Sequence, residues 1–269
     1  MSATRLNALA LLLCLAAGLA ATAPARAGRS CEPRPGDATK VVKALDLAYK
    51  ARQALDASGA QVALIARAGQ DLSKYHLTYS HIGLAWRDHP SGRWLVVHEL
   101  NGCGSAESAL YNEGLGNFFL DDVYEYKSVI LVPHWDVQEA LAVQLASKAP
   151  RRLHGAHYNM LAYPYSTKYQ NSNQWVLETY AAANAPPGKI NTRAEAQAWL
   201  KWANYQPITL QIPASTRLGA RMFRANIAFD DQPFDRRMAN QIDTVTVDSI
   251  VRFIKQRDPD MKEIALAVD

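Results

Sequence analysis

The sequence predicts an α+β fold in which an antiparallel sheet packs against helices. Segments with helical periodicity and segments with strand periodicity mix along the chain without strict alternation, which disfavours a parallel α/β sheet. In addition, two strand-like runs at 79–87 and 93–100 flank the turn sequence His-Pro-Ser-Gly at 89–92. Turn chemistry between two such runs predicts an antiparallel hairpin.

The first 27 residues have the three zones of a cleavable secretory signal peptide. Arg5 supplies a positive start, residues 6–21 are almost entirely apolar, and Ala25-Arg26-Ala27 gives the small-x-small cleavage pattern. Because the apolar run is shorter than the ~20 residues that span a bilayer, we favour cleavage after Ala27 over a retained anchor. The mature protein is then expected in the periplasm or outside the cell, with no later membrane segment.

The charge balance of the mature chain limits the kinds of molecule that it is expected to bind. After cleavage, 27 Lys and Arg residues stand against 25 Asp and Glu residues, a net charge of +2, which argues against nucleic acid. The mature chain of about 240 residues is long enough to bury a substantial core. Cys31 and Cys103 are then the two remaining cysteines, and an oxidising compartment favours a disulfide between them. The alternative is that Cys103 is a reactive thiol.

The N-terminal half begins with a polar, proline-rich lead-in at 28–36 and a predicted helix that Asp37 or Thr39 caps. Apolar residues recur there at helical spacing until Ser58-Gly59 ends the pattern. The following segments are predicted as a buried strand at 61–66, the hairpin, a mixed region at 105–119, a strand at 127–132 and a helix at 137–148.

The C-terminal half contains an extended aromatic stretch and three predicted helices. In order, we expect extended chain at 158–165, a helix from Asn171 or Ser172 to Asn184, a helix from Thr192 to about Asn204, strands at 208–212 and 225–229, and a helix from Thr246 or Asp248 that ends before Pro259. Pro186-Pro187-Gly188 is the best internal boundary. We therefore expect three parts after the signal peptide: the lead-in and helix at 28–59, a core at 60–185, and a C-terminal extension at 186–269 packed on that core.

Two histidines on the predicted hairpin are candidates for catalysis. His81 shares a strand face with Gly83 and Ala85, two small residues that would leave room for the helix predicted to begin at Asn171 or Ser172 to dock on that face. His98, in Val-Val-His-Glu at 96–99, lies on the partner strand and can approach His81. A second histidine that bonds the first fixes its tautomer, as a catalytic base requires. Alternatively, both are structural histidines satisfied by the backbone.

A third candidate lies in the segment Asn171-Ser172-Asn173-Gln174 at the predicted start of a helix. Unpaired backbone N–H groups and the positive end of the helix dipole would stabilise an oxyanion there and favour ionisation of a nucleophile. Ser172 is therefore the candidate nucleophile, with Asn171, Asn173 and Gln174 as candidate oxyanion or pocket residues. Serine and asparagine are also ordinary helix caps, so a purely structural role is the alternative.

The order of these motifs resembles the circularly permuted papain-like hydrolases, namely the permuted NlpC-type amidohydrolases and the lecithin:retinol acyltransferase-like proteins. That resemblance covers roughly residues 60–185 and implies a papain-like antiparallel sheet packed on helices, with residues 186–269 as an extension. The segments Tyr-Ser-His-Ile-Gly-Leu-Ala at 79–85 and Gln-Asn-Ser-Asn-Gln-Trp-Val at 170–176 also resemble an exported bacterial family, domain-of-unknown-function family 2145.

The resemblance implies a cysteine nucleophile, whereas this chain has Ser172 at the matching position. A serine hydroxyl needs a stronger base and a good oxyanion hole. Two hypotheses follow: an amide or ester hydrolase or acyltransferase that uses Ser172, His81 and His98, or an inactive module that binds a cell-wall peptide or lipid. Cys103 as nucleophile is a third. No cofactor or metal is expected, because His154 and His157 lack a third ligand nearby.

Overall fold

A six-stranded antiparallel sheet organises the protein, which we describe from a computed structural model covering residues 37–121 and 123–269. The strands are β1 (Val62–Ala68), β2 (His81–His89), β3 (Gly92–Asn101), β4 (Ser108–Gly114), β5 (Glu125–Val132), β6 (Ile208–Gln211), β7 (Gln241–Thr244) and β8 (Lys262–Ala267). The main sheet has the order β4-β3-β2-β1-β5-β8, and β6 and β7 form a separate antiparallel pair. The predicted α+β class with an antiparallel sheet is confirmed.

Helices cover both faces of this sheet. The α-helices of the described residues are α1 (Ala38–Ser58), α2 (Leu115–Leu120), α3 (Trp135–Leu145), α4 (Ala149–Arg152), α5 (Ser172–Asn184), α6 (Arg193–Trp202), α7 (Ala214–Phe223), α8 (Phe234–Met238) and α9 (Val247–Arg257), of which α7 and α8 lie with the β6-β7 pair. All seven residues of β1 are buried, as expected for a near-continuous apolar strand with helices on both sides.

The sheet separates two apolar layers. On one face, α1 and α2 pack through residues such as Leu47 and Phe118 against Ile65 of β1. On the other face, α3, α5, α6 and α9 pack against Leu64, Leu84 and their neighbours, with Trp175 at the centre of the cluster. The start of α5 is thereby held beside β2 and β3, the two strands that carry the candidate histidines.

Most of the predicted elements are present. Asp37 caps α1 by accepting hydrogen bonds from Thr39 N and Lys40 N, and β2 and β3 form the predicted hairpin with His89 opposite Gly92. The strand predicted at 225–229 is wrong. That segment is instead held by single contacts to the 159–160 loop, such as the hydrogen bond from Ala228 N to Asn159 Oδ1.

The region beyond the Pro186-Pro187-Gly188 break contributes to the main core. Strand β8 pairs with β5 at the edge of the main sheet, and α9 buries Ile250 and Phe253 in the same cluster as α5. The predicted domain division at this break stays a prediction. Among the described residues, none of the helices has the length and apolar character needed to cross a membrane. The signal peptide prediction and Cys31 lie outside the described residues.

Candidate functional site

The hairpin brings His98 beside His81, and Gly83 makes the close approach possible. A Cβ at Gly83 would lie 2.6 Å from Val96 Cγ1 and 3.1 Å from the His98 Cβ. The expectation that Gly83 and Ala85 leave room for the Ser172 helix is wrong, because α5 packs on the opposite face of β2, while α1 and neighbouring side chains fill the face of Gly83 and Ala85. His81 is the first residue of β2, at the strand end nearest the start of α5, and reaches Ser172 from there.

Asn171 and Asn173 fix the start of α5 against the rest of the fold. Asn171 is the N-cap of the helix, and its Oδ1 accepts a 2.8 Å hydrogen bond from Gln174 N. Its Nδ2 donates to Thr244 Oγ1 at 3.0 Å, which ties the helix to β7. Asn173 Nδ2 donates to Ser80 O at 3.2 Å. Because Ser80 directly precedes His81, this last bond sets the position of Ser172 relative to the histidine.

The three candidate catalytic side chains lie in one hydrogen-bonded row. His81 Nδ1 is 3.1 Å from Ser172 Oγ, and His81 Nε2 is 2.8 Å from His98 Nδ1. All three residues are buried, with His98 fully inaccessible. The ring of Phe118 lies 5.9 Å from that of His81 and 5.5 Å from that of His98, so an apolar side chain backs the pair. A hydroxyl, a base and a group that orients the base are thus within hydrogen-bond reach of one another.

Glu113 on β4 extends the row beyond the residues found from the sequence. Its Oε2 lies 3.3 Å from His98 Nε2, a close polar contact that does not meet hydrogen-bond geometry. This contact holds the pKa of Glu113 below its ordinary value. The ionised carboxylate favours a proton on His98 Nε2, which leaves His98 Nδ1 to accept from His81 Nε2. His81 Nδ1 is then unprotonated and can accept the Ser172 proton.

A mainly polar cavity of about 270 Å³ opens onto Ser172 and His81. Its lining includes Arg67 and Asp121, which form an ion pair, and the side chains of Asn171 and Asn173. This cavity is continuous with a wider cleft, and four residues line both of them: Gly69, Gln70, Met160 and Arg224. An extended substrate could therefore enter along this cleft and present one group to Ser172.

Tyr158 and Glu99 also line the cavity. Burial raises the pKa of Tyr158, the Glu99 carboxylate adds to this effect, and hydrogen bonding to the side chain and backbone of Ser172 opposes it. The Tyr158 hydroxyl therefore lies beside the candidate nucleophile. Burial raises the pKa of Glu99 from 4.5 to about 8, and the nearby Ser108 hydroxyl opposes this shift. The contact is too poorly aligned to count as a hydrogen bond, so both carboxyl oxygens lack a well-formed partner among the described residues.

The helix start retains a donor for an oxyanion. The first N–H groups of a helix have no partner within the helix. Asn171 accepts that of Gln174 and the Tyr158 hydroxyl accepts that of Ser172, which leaves the N–H of Asn173 at the start of the helix. Gln174 itself is a correction to the predicted pocket residues, because its side chain donates to Glu178 and Pro164 O and does not line the cavity.

Cys103 has no free thiol, because it is disulfide-bonded. A disulfide sulfur is not a nucleophile, so the alternative that Cys103 attacks the substrate is wrong for this state of the protein. Cys14 and Cys31 are the other cysteines of the chain and lie outside the described residues, so the pairing of Cys31 with Cys103 stays a prediction. Among the described residues, no group of three or more His, Cys, Asp or Glu side chains is arranged to hold a metal ion.

Sequence reasoning missed Glu113, Tyr158 and Glu99 for different reasons. Glu113 lies on β4, a strand that the mixed pattern of 105–119 concealed. Tyr158 is one of several tyrosines in an irregular stretch, with no signal to single it out. Glu99 did carry a signal, since a carboxylate that follows Val-Val-His in a β-rich run must be buried or at a strand end.

Comparison with known proteins identifies a family without a known activity. A search of curated proteins and a search of solved structures each found no match. A family model described as an uncharacterized protein conserved in bacteria (DUF2145) matches residues 54–254, most of the chain, and this range contains every residue of the site. The chain therefore belongs to the DUF2145 family.

Proposed function

We propose that this protein is a serine-dependent hydrolase or acyltransferase of the papain-like type, acting on an amide or ester. The observation that carries the proposal is the row from Ser172 Oγ to His81 Nδ1 at 3.1 Å and from His81 Nε2 to His98 Nδ1 at 2.8 Å. The resemblance to the permuted NlpC-type and lecithin:retinol acyltransferase-like proteins supports the same reaction class. The signal-like N-terminus supports action outside the cytosol, where cell-wall peptides and lipids are the candidate substrates.

Each residue has one role in the proposed reaction. Ser172 Oγ attacks the carbonyl carbon as its proton passes to His81 Nδ1, and the carbonyl oxygen becomes an oxyanion. The N–H of Asn173 and the hydroxyl of Tyr158 donate to that oxyanion. His81 then returns the proton to the leaving group, and an acyl-serine remains. Water or an acceptor alcohol or amine attacks the acyl-serine in a second step, with His81 again as the base.

His98 and Glu113 position His81 and do not touch the reacting atoms. The Glu113 carboxylate keeps the His98 proton on Nε2, so the His98 Nδ1 lone pair faces His81. The positive charge that develops on His81 during attack is stabilised by the hydrogen bond to His98 and by the negative charge of Glu113 beyond it. This arrangement compensates in part for the weaker nucleophilicity of serine relative to cysteine.

A non-catalytic binding module is the second candidate, and one observation favours it. The Tyr158 hydroxyl lies beside both the hydroxyl and the N–H of Ser172, the space that an oxyanion would need. A protein that had lost activity could keep this polar cavity to bind a peptide or lipid head group. The two candidates make different predictions about the reactivity of residue 172.

A fluorophosphonate probe separates the candidates. For a hydrolase we expect covalent labelling of the wild type, with loss of labelling in Ser172→Ala and in His81→Ala. Ser105→Ala, which changes a serine outside the cavity lining, is the matched control and should label normally. His98→Gln should slow labelling by about tenfold or more, because the base loses its orienting group. A wild type that resists the probe while its fold is intact would favour the binding module.

A further inference from the structure

The cavity beside Ser172 contains buried acceptor atoms that the described part of the protein leaves unsatisfied. Both carboxyl oxygens of Glu99 are buried without a well-formed hydrogen bond to a described residue, although the Ser108 hydroxyl lies close enough to act on the carboxyl group. Asn173 Oδ1 and Asn226 Oδ1 are also buried without a hydrogen bond to a described residue. All three residues line this one cavity, and Glu99 is fully inaccessible to solvent. Buried polar atoms are normally hydrogen-bonded, and each one left unsatisfied costs about 1–3 kcal/mol.

The orientation of these atoms is set by the fold. Asn173 Nδ2 donates to Ser80 O and Val245 O, so its Oδ1 must point away from both carbonyls. Glu99 lies on β3 next to His98 but on the other face of the strand, because consecutive strand residues point to opposite faces. Its carboxyl group is therefore outside the row formed by His81, His98 and Glu113, and the proposed mechanism leaves it without a role.

The set consists of two amide oxygens and the carboxyl group of Glu99, and binding of a cation would favour the ionised, acceptor-only form of that carboxyl group. A ligand that satisfies it must bring several N–H donors in a small volume, preferably with a positive charge. A primary ammonium group has three donors and no acceptor, and it fits this requirement. A carboxylate or phosphate does not fit, because its oxygens would face the oxygens of Glu99 and the two amides.

We propose that Glu99, Asn173 and Asn226 form a subsite for a primary ammonium group of the substrate, so that the protein acts on amine-bearing amides or esters. Tyr158 lies between this subsite and the nucleophile, since the charge of Glu99 raises the pKa of Tyr158 and the Tyr158 hydroxyl is hydrogen-bonded to Ser172. The ammonium group would thus lie close to the scissile carbonyl, as in a peptide with a free amino terminus or an aminoacyl ester. This inference rests on the proposed function for its substrate class, but the binding step does not require catalysis.

The test uses a matched pair of ligands and a protein that cannot react. L-alaninamide and N-acetyl-L-alaninamide share the alaninamide body, and acetylation removes the charge of the amine and two of its three N–H donors while adding an acetyl group. Full-length mature Ser172→Ala should bind the free amine at millimolar concentrations, as followed by isothermal titration calorimetry, and should bind the acetylated form at least about tenfold more weakly. Adding Glu99→Gln should remove this preference, while adding Glu107→Gln, an exposed carboxylate outside the cavity lining, should retain it.

Three results would overturn the inference: equal or undetectable binding of the two amides, a preference for the amine that survives Glu99→Gln in a variant with an intact fold, or binding of Ca²⁺ in place of the amine. The outcome is separable from that of the proposed function. Amine-selective binding with no labelling by the fluorophosphonate probe would support the subsite and reject the hydrolase. Labelling by the probe without amine-selective binding would support the hydrolase and reject the subsite.

Discussion

Replacing Glu99 with glutamine should stabilise the protein, and by more at high pH than at low pH. The side chain is fully inaccessible, and burial raises its pKa from 4.5 to about 8, with the charge of Glu178 acting in the same direction and Ser108 and Arg193 opposing. Between these two pKa values the unfolded chain loses the proton while the folded protein keeps it. Wild-type stability relative to Glu99→Gln therefore falls as pH rises through this window.

The size of the effect follows from the pKa shift. Each pH unit inside the window changes the free energy of unfolding by about 1.4 kcal/mol. From pH 5 to pH 7.5, the advantage of Glu99→Gln should grow by roughly 3 kcal/mol, which corresponds to about 6–12 °C in Tm for a domain of this size. Buried acids that do not interact with Glu99 titrate in the same way in both proteins, so the comparison with the wild type cancels their contribution.

Thermal unfolding followed by circular dichroism at several pH values measures this difference. Glu107→Gln is the matched control, because its side chain is 63 % exposed and its effect on Tm should be small at every pH. A Tm difference between Glu99→Gln and wild type that stays constant from pH 5 to pH 7.5 would refute the reasoning. It would mean that Glu99 ionises at its ordinary pKa and that the cavity is well hydrated.

Three further predictions concern packing, the buried network and processing. Gly83→Ala should lower the free energy of unfolding, measured in urea, by about 1–3 kcal/mol, because the new Cβ would lie 2.6 Å from a valine methyl. Gly116→Ala is the control and should leave the free energy of unfolding nearly unchanged, because its Cβ meets only a leucine methyl at 3.6 Å. Glu178→Ala should lower the free energy of unfolding by about 3–5 kcal/mol, because it leaves the buried Arg193 without its carboxylate partner. Protein recovered from the periplasm should begin at Gly28 by mass spectrometry; an intact N-terminus would indicate an anchor instead.

The sequence was most informative where local chemistry decides the structure. The hairpin turn at 89–92, the Asp37 cap and the capping box at Thr192 each specify an element through neighbouring residues, and each is present in the structure. Strands whose pairing depends on residues far away in the sequence were harder to predict. β4 and β8 lie at the two edges of the main sheet, so their half-exposed residues give only a weak strand pattern.

The candidate site divides in the same way. His81, His98 and Ser172 belong to short motifs whose order along the chain suggested that they meet, and they lie within hydrogen-bond distance. Glu113 and Tyr158 have no local motif, since they reach the site through strand pairing and through a loop held by isolated contacts. The sequence also could not indicate that Gln174 turns inward to Glu178, because that depends on the buried acid one turn further along α5.

The most direct test of the central claim is the pH dependence of alkylation at residue 172. In Ser172→Cys, His81 and the start of α5 should favour the thiolate, so the iodoacetamide rate should reach its plateau below the ordinary cysteine pKa of about 8.5. Wild type, with Cys103 in a disulfide, gives the background, and Ser91→Cys in the exposed hairpin turn is the matched control. We predict that His81→Ala in the Ser172→Cys background moves the profile back toward that of Ser91→Cys. Identical profiles for Ser172→Cys and Ser91→Cys would contradict the claim that His81 activates the side chain at position 172.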